Sequence, residues 1–237
     1  MTSNITAILK LIIYIGVFSQ VLPLVFFLLF KFKSKERELR VIFYYILYCI
    51  FNESISVYLQ TIHSEQIYIL FSTYTVLEFS FFCLFFYYIL PADKPKKFIF
   101  PIWLCFILFS LIDFFFVNKM AGFDSFTSGL QTLLIIGMCI YYLFFQIRGS
   151  NTLYIYSTSN FWIIITFLIY LSGTFFLYIM TETMMNNRNF RIQYIYINSI
   201  FNILKNVLLS VAMLMKAGQM KPEQKRNLEW NDYNRVN

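Results

Sequence analysis

Residues 98–117 read FIFPIWLCFILFSLIDFFFV, with Asp113 the one charge and Pro101 the one proline in the run. A helix needs ~20 largely apolar residues to cross the hydrocarbon core of a bilayer. The β-branched and aromatic content would favour a strand in water. The run has no period-2 alternation and no turn punctuation, and a segment in lipid must satisfy its backbone internally, so it reads as a helix. Six more stretches of this kind flank it, at about 5–30, 41–61, 66–90, 124–147, 160–181 and 192–215. Of the 237 residues, 59% are hydrophobic, 22% aromatic and only 13% charged. Soluble domains run about 45–50% apolar and about 25% charged, so a water-soluble enzyme, a disulfide scaffold and a disordered chain are all excluded. The expected fold is all-α, a polytopic membrane protein built as a bundle of seven transmembrane helices.

Cations orient the bundle. Fourteen of the nineteen Lys and Arg residues fall on one side: Lys31, Lys33, Lys35, Arg37 and Arg40 in the first connection, Lys94, Lys96 and Lys97 in the third, Arg148 in the fifth, and Lys216, Lys221, Lys225, Arg226 and Arg235 in the tail. Opposite them stand Lys119, Arg188 and Arg191. The positive-inside rule then puts the N-terminus outside and the C-terminus in the cytoplasm. Met1-Thr2-Ser3-Asn4 carries no basic residue and leads into a long apolar run, so the first span is expected to stay as a helix instead of being cleaved as a signal. Residues 1–217 form the expected membrane domain, and 218–237 a solvated, partly disordered cytoplasmic tail. The net charge of +7 is accounted for by this topology and by attraction to anionic lipid, with no call for nucleic acid.

Ionisable residues inside spans are the informative ones, because each costs ~2.5–3.5 kcal/mol to insert. Glu53, Glu78 and Lys205 each lie 11–13 residues from the cytoplasmic end of their helix, ~17–20 Å at 1.5 Å per residue. They share one layer near mid-bilayer and are expected to meet, since a buried charge needs partners. On the seventh span Asn198, Asn202, Lys205 and Asn206 fall within an arc of roughly 100°, with Tyr194 extending the face outward. Ser56 and Gln60 line up with Glu53, Tyr74 and Thr75 flank Glu78, and Thr166, Tyr170 and Gly173 share one side of the sixth span. Glu53, Glu78, Lys205, Asn198, Asn202, Asn206 and Tyr74 are therefore the candidate ligand or proton site. The competing reading is interhelical glue, worth ~0.6 kcal/mol per hydrogen bond. Lys10 and Asp113, nearer their helix ends, are expected to snorkel to the interface.

Other signals lead nowhere catalytic. Lys205 occupies the mid-seventh-helix position where rhodopsins hold their retinal Schiff-base lysine, but Phe201 stands where microbial rhodopsins place an aspartate. Cys49, Cys83, Cys105 and Cys139 lack paired metal-ligand spacing and read as apolar filler. His63, the single histidine, sits at an outer turn beside Glu65, which rules out a Ser-His triad with a buried base. The Phe81, Phe82, Phe85 and Phe86 stripe reads as lipid-facing or packing surface. No cofactor and no catalytic residue is called for.

Three stretches, Tyr74-Thr75-Val76-Leu77-Glu78-Phe79, Phe161-Trp162 with Leu171-Ser172-Gly173-Thr174, and Asn198-Ser199-Ile200-Phe201-Asn202-Ile203, resemble uncharacterised small seven-helix membrane proteins of Bacteroidota-type bacteria. The resemblance implies a bacterial inner-membrane location and carries no mechanism. The functional expectation is a sensor or receptor-like module binding a small ligand or proton, with residues 31–40 and 216–237 contacting a cytoplasmic protein partner. The alternative is a small-solute or proton-coupled transporter or channel. An intramembrane enzyme and a retinal protein are remote alternatives. Reporter fusions test the topology: a fusion after residue 237 is expected to be active only as a cytoplasmic reporter, and one at 119–122 only as an external one.

Overall fold

The computed structural model describes residues 2–31, 36–62, 66–90, 94–117, 125–148, 158–184 and 187–215. His63, Glu65, Lys33, Lys35, Pro91, Lys119, Gly149-Ser150-Asn151 and the tail from residue 216 lie outside the described residues, as do the side chains of Lys10, Gln60 and Lys94. The described chain is almost entirely helical: α1 (Thr2–Ser19), α2 (Val21–Phe30), α3 (Arg37–Thr61), α4 (Gln66–Ile89), α5 (Lys94–Ile112), α6 (Ser125–Arg148), α7 (Ser159–Met184) and α8 (Arg188–Leu214). Seven spans in it are long and apolar enough to cross a membrane, α1 and α2 together supplying the first, Leu11–Lys31.

Local chemistry explains the irregularities. Pro23 lacks the N–H that would bond the carbonyl of residue 19, and the first span breaks at Gln20 between α1 and α2. Ser19 Oγ donates to the Gly16 carbonyl within the last turn of α1, at 2.6 Å. Asn187 caps α8, its side chain accepting from the Asn189 N–H at 2.9 Å, the usual provision for the unpaired donors of a first turn. At the other end of α8 the Met215 carbonyl accepts from Lys31 Nζ at 2.6 Å and from Ser159 Oγ at 3.0 Å. A cation there also complements the negative end of the helix dipole.

Six spans close into a ring. The α8 helix packs on α7, α1 and α2; α7 packs on α6, α6 on α4, α4 on α3, and α3 on α2. The fourth span, α5, stands outside this ring against α4 and α6. It continues into a π-helical turn, Asp113–Val117, a local widening that re-aims side chains and often marks a functional or strained position. Asp113 is buried in that turn and accepts from Thr127 Oγ1 of α6 at 2.7 Å. The snorkelling expected for Asp113 is thus replaced by a hydrogen-bonded tie from the outer span to the ring.

The half of the bundle nearer the basic connections holds a packed apolar core. Tyr45, Phe82 and Phe167 pack edge to face, with Phe82 and Phe167 centroids 4.4 Å apart and Tyr45 lying 5.7 and 5.6 Å from them. Beyond them Phe85, Phe86, Ile135, Ile163, Leu209, Ala212 and Met213 are buried in the same core. The phenylalanine stripe is therefore mainly packing surface: Phe82, Phe85 and Phe86 are buried and Phe81 half-buried.

Gly173 of α7 lies directly under a side chain of α8. A Cβ there would collide with the Phe201 ring of α8, so only a residue without a side chain admits that ring. Gly173→Ala is expected to cost about 1–3 kcal/mol through overpacking, read as a lower midpoint of thermal unfolding in detergent. Phe201→Leu in the same chain should recover part of that loss.

Candidate functional site

On the far side of the aromatic layer the ring is hollow. A cavity of about 180 Å³ runs from Glu78 and Lys205 out to Ser125, Thr181 and Tyr194, near the helix ends opposite the basic connections. Its walls come from the first, second, third, fifth, sixth and seventh spans, and α5 contributes nothing. Tyr45, Phe82 and Phe167 are not part of its lining.

Glu78 is the organising residue. It is 6% exposed and accepts three hydrogen bonds from three helices: Tyr45 Oη of α3 at 2.8 Å and Tyr74 Oη of α4 at 3.0 Å on Oε1, and Gln131 Nε2 of α6 at 2.8 Å on Oε2. Those donors replace water around a carboxylate that would otherwise be prohibitive at this depth. Tyr74 is held in turn by stacking on Tyr48, centroids 5.8 Å apart, and it contacts Cys49 Sγ at 3.8 Å. One turn out, Thr75 Oγ1 and Ser128 Oγ meet at 3.3 Å between α4 and α6.

Lys205 is buried as well, and its surroundings are aromatic. Its Nζ lies 4.5 Å from the Tyr170 ring centroid and 5.9 Å from that of Tyr45, cation–π geometry that offsets part of its desolvation. Among the described residues no ion pair joins it to Glu53 or Glu78. The expected meeting of the three charges therefore takes a different form, in which they share a cavity without pairing. The reason is visible in Glu78, whose demand for donors is already met by neutral groups.

Of the residues singled out in the sequence, Glu53, Glu78, Lys205, Asn198, Asn202 and Tyr74 all line the cavity. Asn206 does not. It is buried against α1, where its Nδ2 donates to Ser19 Oγ at 2.8 Å, and it fastens α8 to the first span. Ser56 lines the cavity beside Glu53, and Tyr170 and Tyr194 complete the α7 and α8 walls. Thr166 is occupied with the Trp162 carbonyl of its own helix at 2.7 Å.

Sequence reasoning missed Tyr45, Gln131 and Gln20. Gln131 carried a usable signal, being a bulky amide in mid-span, whereas Tyr45 is hidden among eighteen tyrosines. Gln20 could have been found from Pro23, which breaks the helix beside it. Three acceptors in the cavity wall, Gln20 Oε1, Asn198 Oδ1 and Asn202 Oδ1, are buried without any hydrogen-bond partner. Native structures rarely leave such groups unpaired. Among the described residues no cluster of three or more His, Cys, Asp or Glu side chains is placed to hold a metal ion. Compared with protein-family models, curated proteins and solved structures, the chain matches none.

The network around Glu78 has a measurable signature. Gln131→Leu strips Oε2 of its donor and is expected to cost about 1.5–3 kcal/mol, the range for hydrogen bonds to charged groups. In a Glu78→Leu background the same change should cost far less, because residues sharing one network are non-additive. Unfolding midpoints of the four proteins in detergent check this.

Proposed function

We propose that the protein is a sensor or receptor-like module of a bacterial inner membrane, N-terminus outside and C-terminus cytoplasmic, whose cavity admits a small polar ligand from the external face. The observation that carries this reading is the polar cavity: six spans wall it and amide oxygens without partners line it, while Tyr45, Phe82 and Phe167 pack together outside its lining. Structural glue would leave its polar groups mutually satisfied, as Glu78 is. The three amide oxygens are not, and among the described residues Lys205 has aromatic rings beside it in place of an ion pair.

An output path supports the same reading. The α8 helix bears Lys205, Asn202 and Asn198 in the cavity wall, and its far end is clasped at the Met215 carbonyl by Lys31 and Ser159. A ligand that favours one position of α8 over another would shift the population of that clasp. The clasp adjoins the basic first connection, and the tail follows directly, so residues 31–40 and 216–237 are the proposed contact for a cytoplasmic partner. The resemblance to small seven-helix proteins of Bacteroidota-type bacteria supports the choice of membrane.

Hydrogen exchange of the protein in nanodiscs, measured against a panel of small polar solutes, tests the proposal. At least one solute is expected to change exchange at residues 206–215. Lys205→Met should abolish that response while leaving membrane insertion intact. Solute-driven flux in proteoliposomes, with no change at the end of α8, would instead establish a carrier.

A further inference from the structure

The unpaired groups of the cavity describe the ligand that would satisfy them, an inference that rests on the receptor reading above. Lys205 presents a cation with three donors and no acceptor, and no carboxylate among the described residues pairs with it. Glu78 does not meet this need, since Tyr45, Tyr74 and Gln131 hold its oxygens. The remaining demand has the opposite sign. Glu53, half-buried on the α3 wall, offers a carboxylate, and Gln20, Asn198 and Asn202 offer buried amide oxygens that lack donors.

We infer that the cavity binds a small zwitterion of the amino-acid class, its carboxylate on Lys205 and its ammonium on Glu53 and the amide oxygens of Asn202 and Gln20. A simple carboxylate would satisfy Lys205 and leave the acceptors empty. A simple amine would leave Lys205 buried and unpaired, which is the costlier fault. A neutral polyol would answer the amide oxygens but bring no charge to either ionised wall. The zwitterion alone matches both signs at once, so that each buried charge gains a partner on binding.

Dimensions agree. Asn202 lies three residues from Lys205 along α8 and Asn198 seven, or ~4.5 and ~10 Å of rise. An amino acid set with its carboxylate at Lys205 therefore brings its ammonium to the level of Asn202, and its side chain points outward toward Asn198 and Tyr194. Apolar cavities of about 150 Å³ take up benzene, and the 180 Å³ here gives room for a ligand of roughly seven heavy atoms on that scale. Tyr170 and Tyr178, whose hydroxyls meet at 2.9 Å, supply further polar wall on α7.

The test is thermal unfolding of the full chain in nanodiscs with glycine, L-alanine and L-serine as zwitterions, acetate and lactate as anions, ethanolamine as cation and glycerol as neutral. Zwitterions are expected to raise the midpoint saturably by several degrees and the other probes to do so weakly or not at all. Lys205→Met and Glu53→Gln should each weaken the zwitterion response at least tenfold in apparent affinity, while Lys205→Arg retains most of it, which separates loss of a ligand contact from loss of fold. A response to acetate equal to that for glycine, unaffected by Glu53→Gln, overturns the zwitterion assignment. A response confined to ethanolamine or glycerol overturns it too and leaves the receptor reading standing. Silence of every probe also overturns it, and the receptor reading is then decided separately by hydrogen exchange at residues 206–215.

Discussion

The polar network at the centre of this bundle is arranged around the Glu78 carboxylate. At 6% exposure in a helix long and apolar enough to span a membrane, a carboxylate needs a partner, and the usual one is a cation. Here three neutral donors, from α3, α4 and α6, take that part. The consequence is positional. Tyr45 is drawn in from one side and Gln131 from another, which ties three walls of the ring together at one depth. With Glu78 satisfied in this way, Lys205 is left to the aromatic faces of Tyr170 and Tyr45 and to the space beside them.

That division of labour separates the two halves of the molecule. On one side of the Glu78 layer, apolar and aromatic side chains interlock into a solid core. On the other, hydroxyls, amides and Glu53 stand around a cavity. In water such an arrangement would gain from the hydrophobic effect. In lipid, association of spans depends on close packing and interhelical hydrogen bonds, and both are seen at named points: Gly173 against Phe201, Asn206 with Ser19, Thr75 with Ser128, and Thr127 with Asp113. The last of these also explains how α5 stays attached while contributing nothing to the cavity. Its buried Asp113 reaches the ring from outside.

The fold was legible because its signal is redundant: runs like 98–117 recur seven times, and length with apolarity is enough to identify a span. The cavity was legible to the extent that polar residues are rare in spans. Glu53, Glu78, Lys205, Asn198, Asn202 and Tyr74 stood out against an apolar background and lie on one surface. What could not be read was rotation. Asn206 shares its helical face with Lys205 but is one residue further round, and that step turns it toward Ser19 on α1. Nor could the pairing be read, since opposite charges in one layer suggest an ion pair. Only the neighbours Tyr45 and Gln131, on helices whose facing is set by packing, reveal that Glu78 has no need of one. Asp113 was misjudged for a related reason, because its facing could not be read either: it opens the π turn Asp113–Val117, which re-aims side chains, and is buried against Thr127.

An experimental density map of the protein in a lipid nanodisc, at a resolution that shows ordered water, measures this account most directly. It should show Glu78 held by Tyr45, Tyr74 and Gln131, with Lys205 over the Tyr170 ring and density for water or a bound solute between Lys205, Glu53 and Asn202. A map in which Lys205 bonds directly to Glu78 and the helices close over the space between them would contradict it.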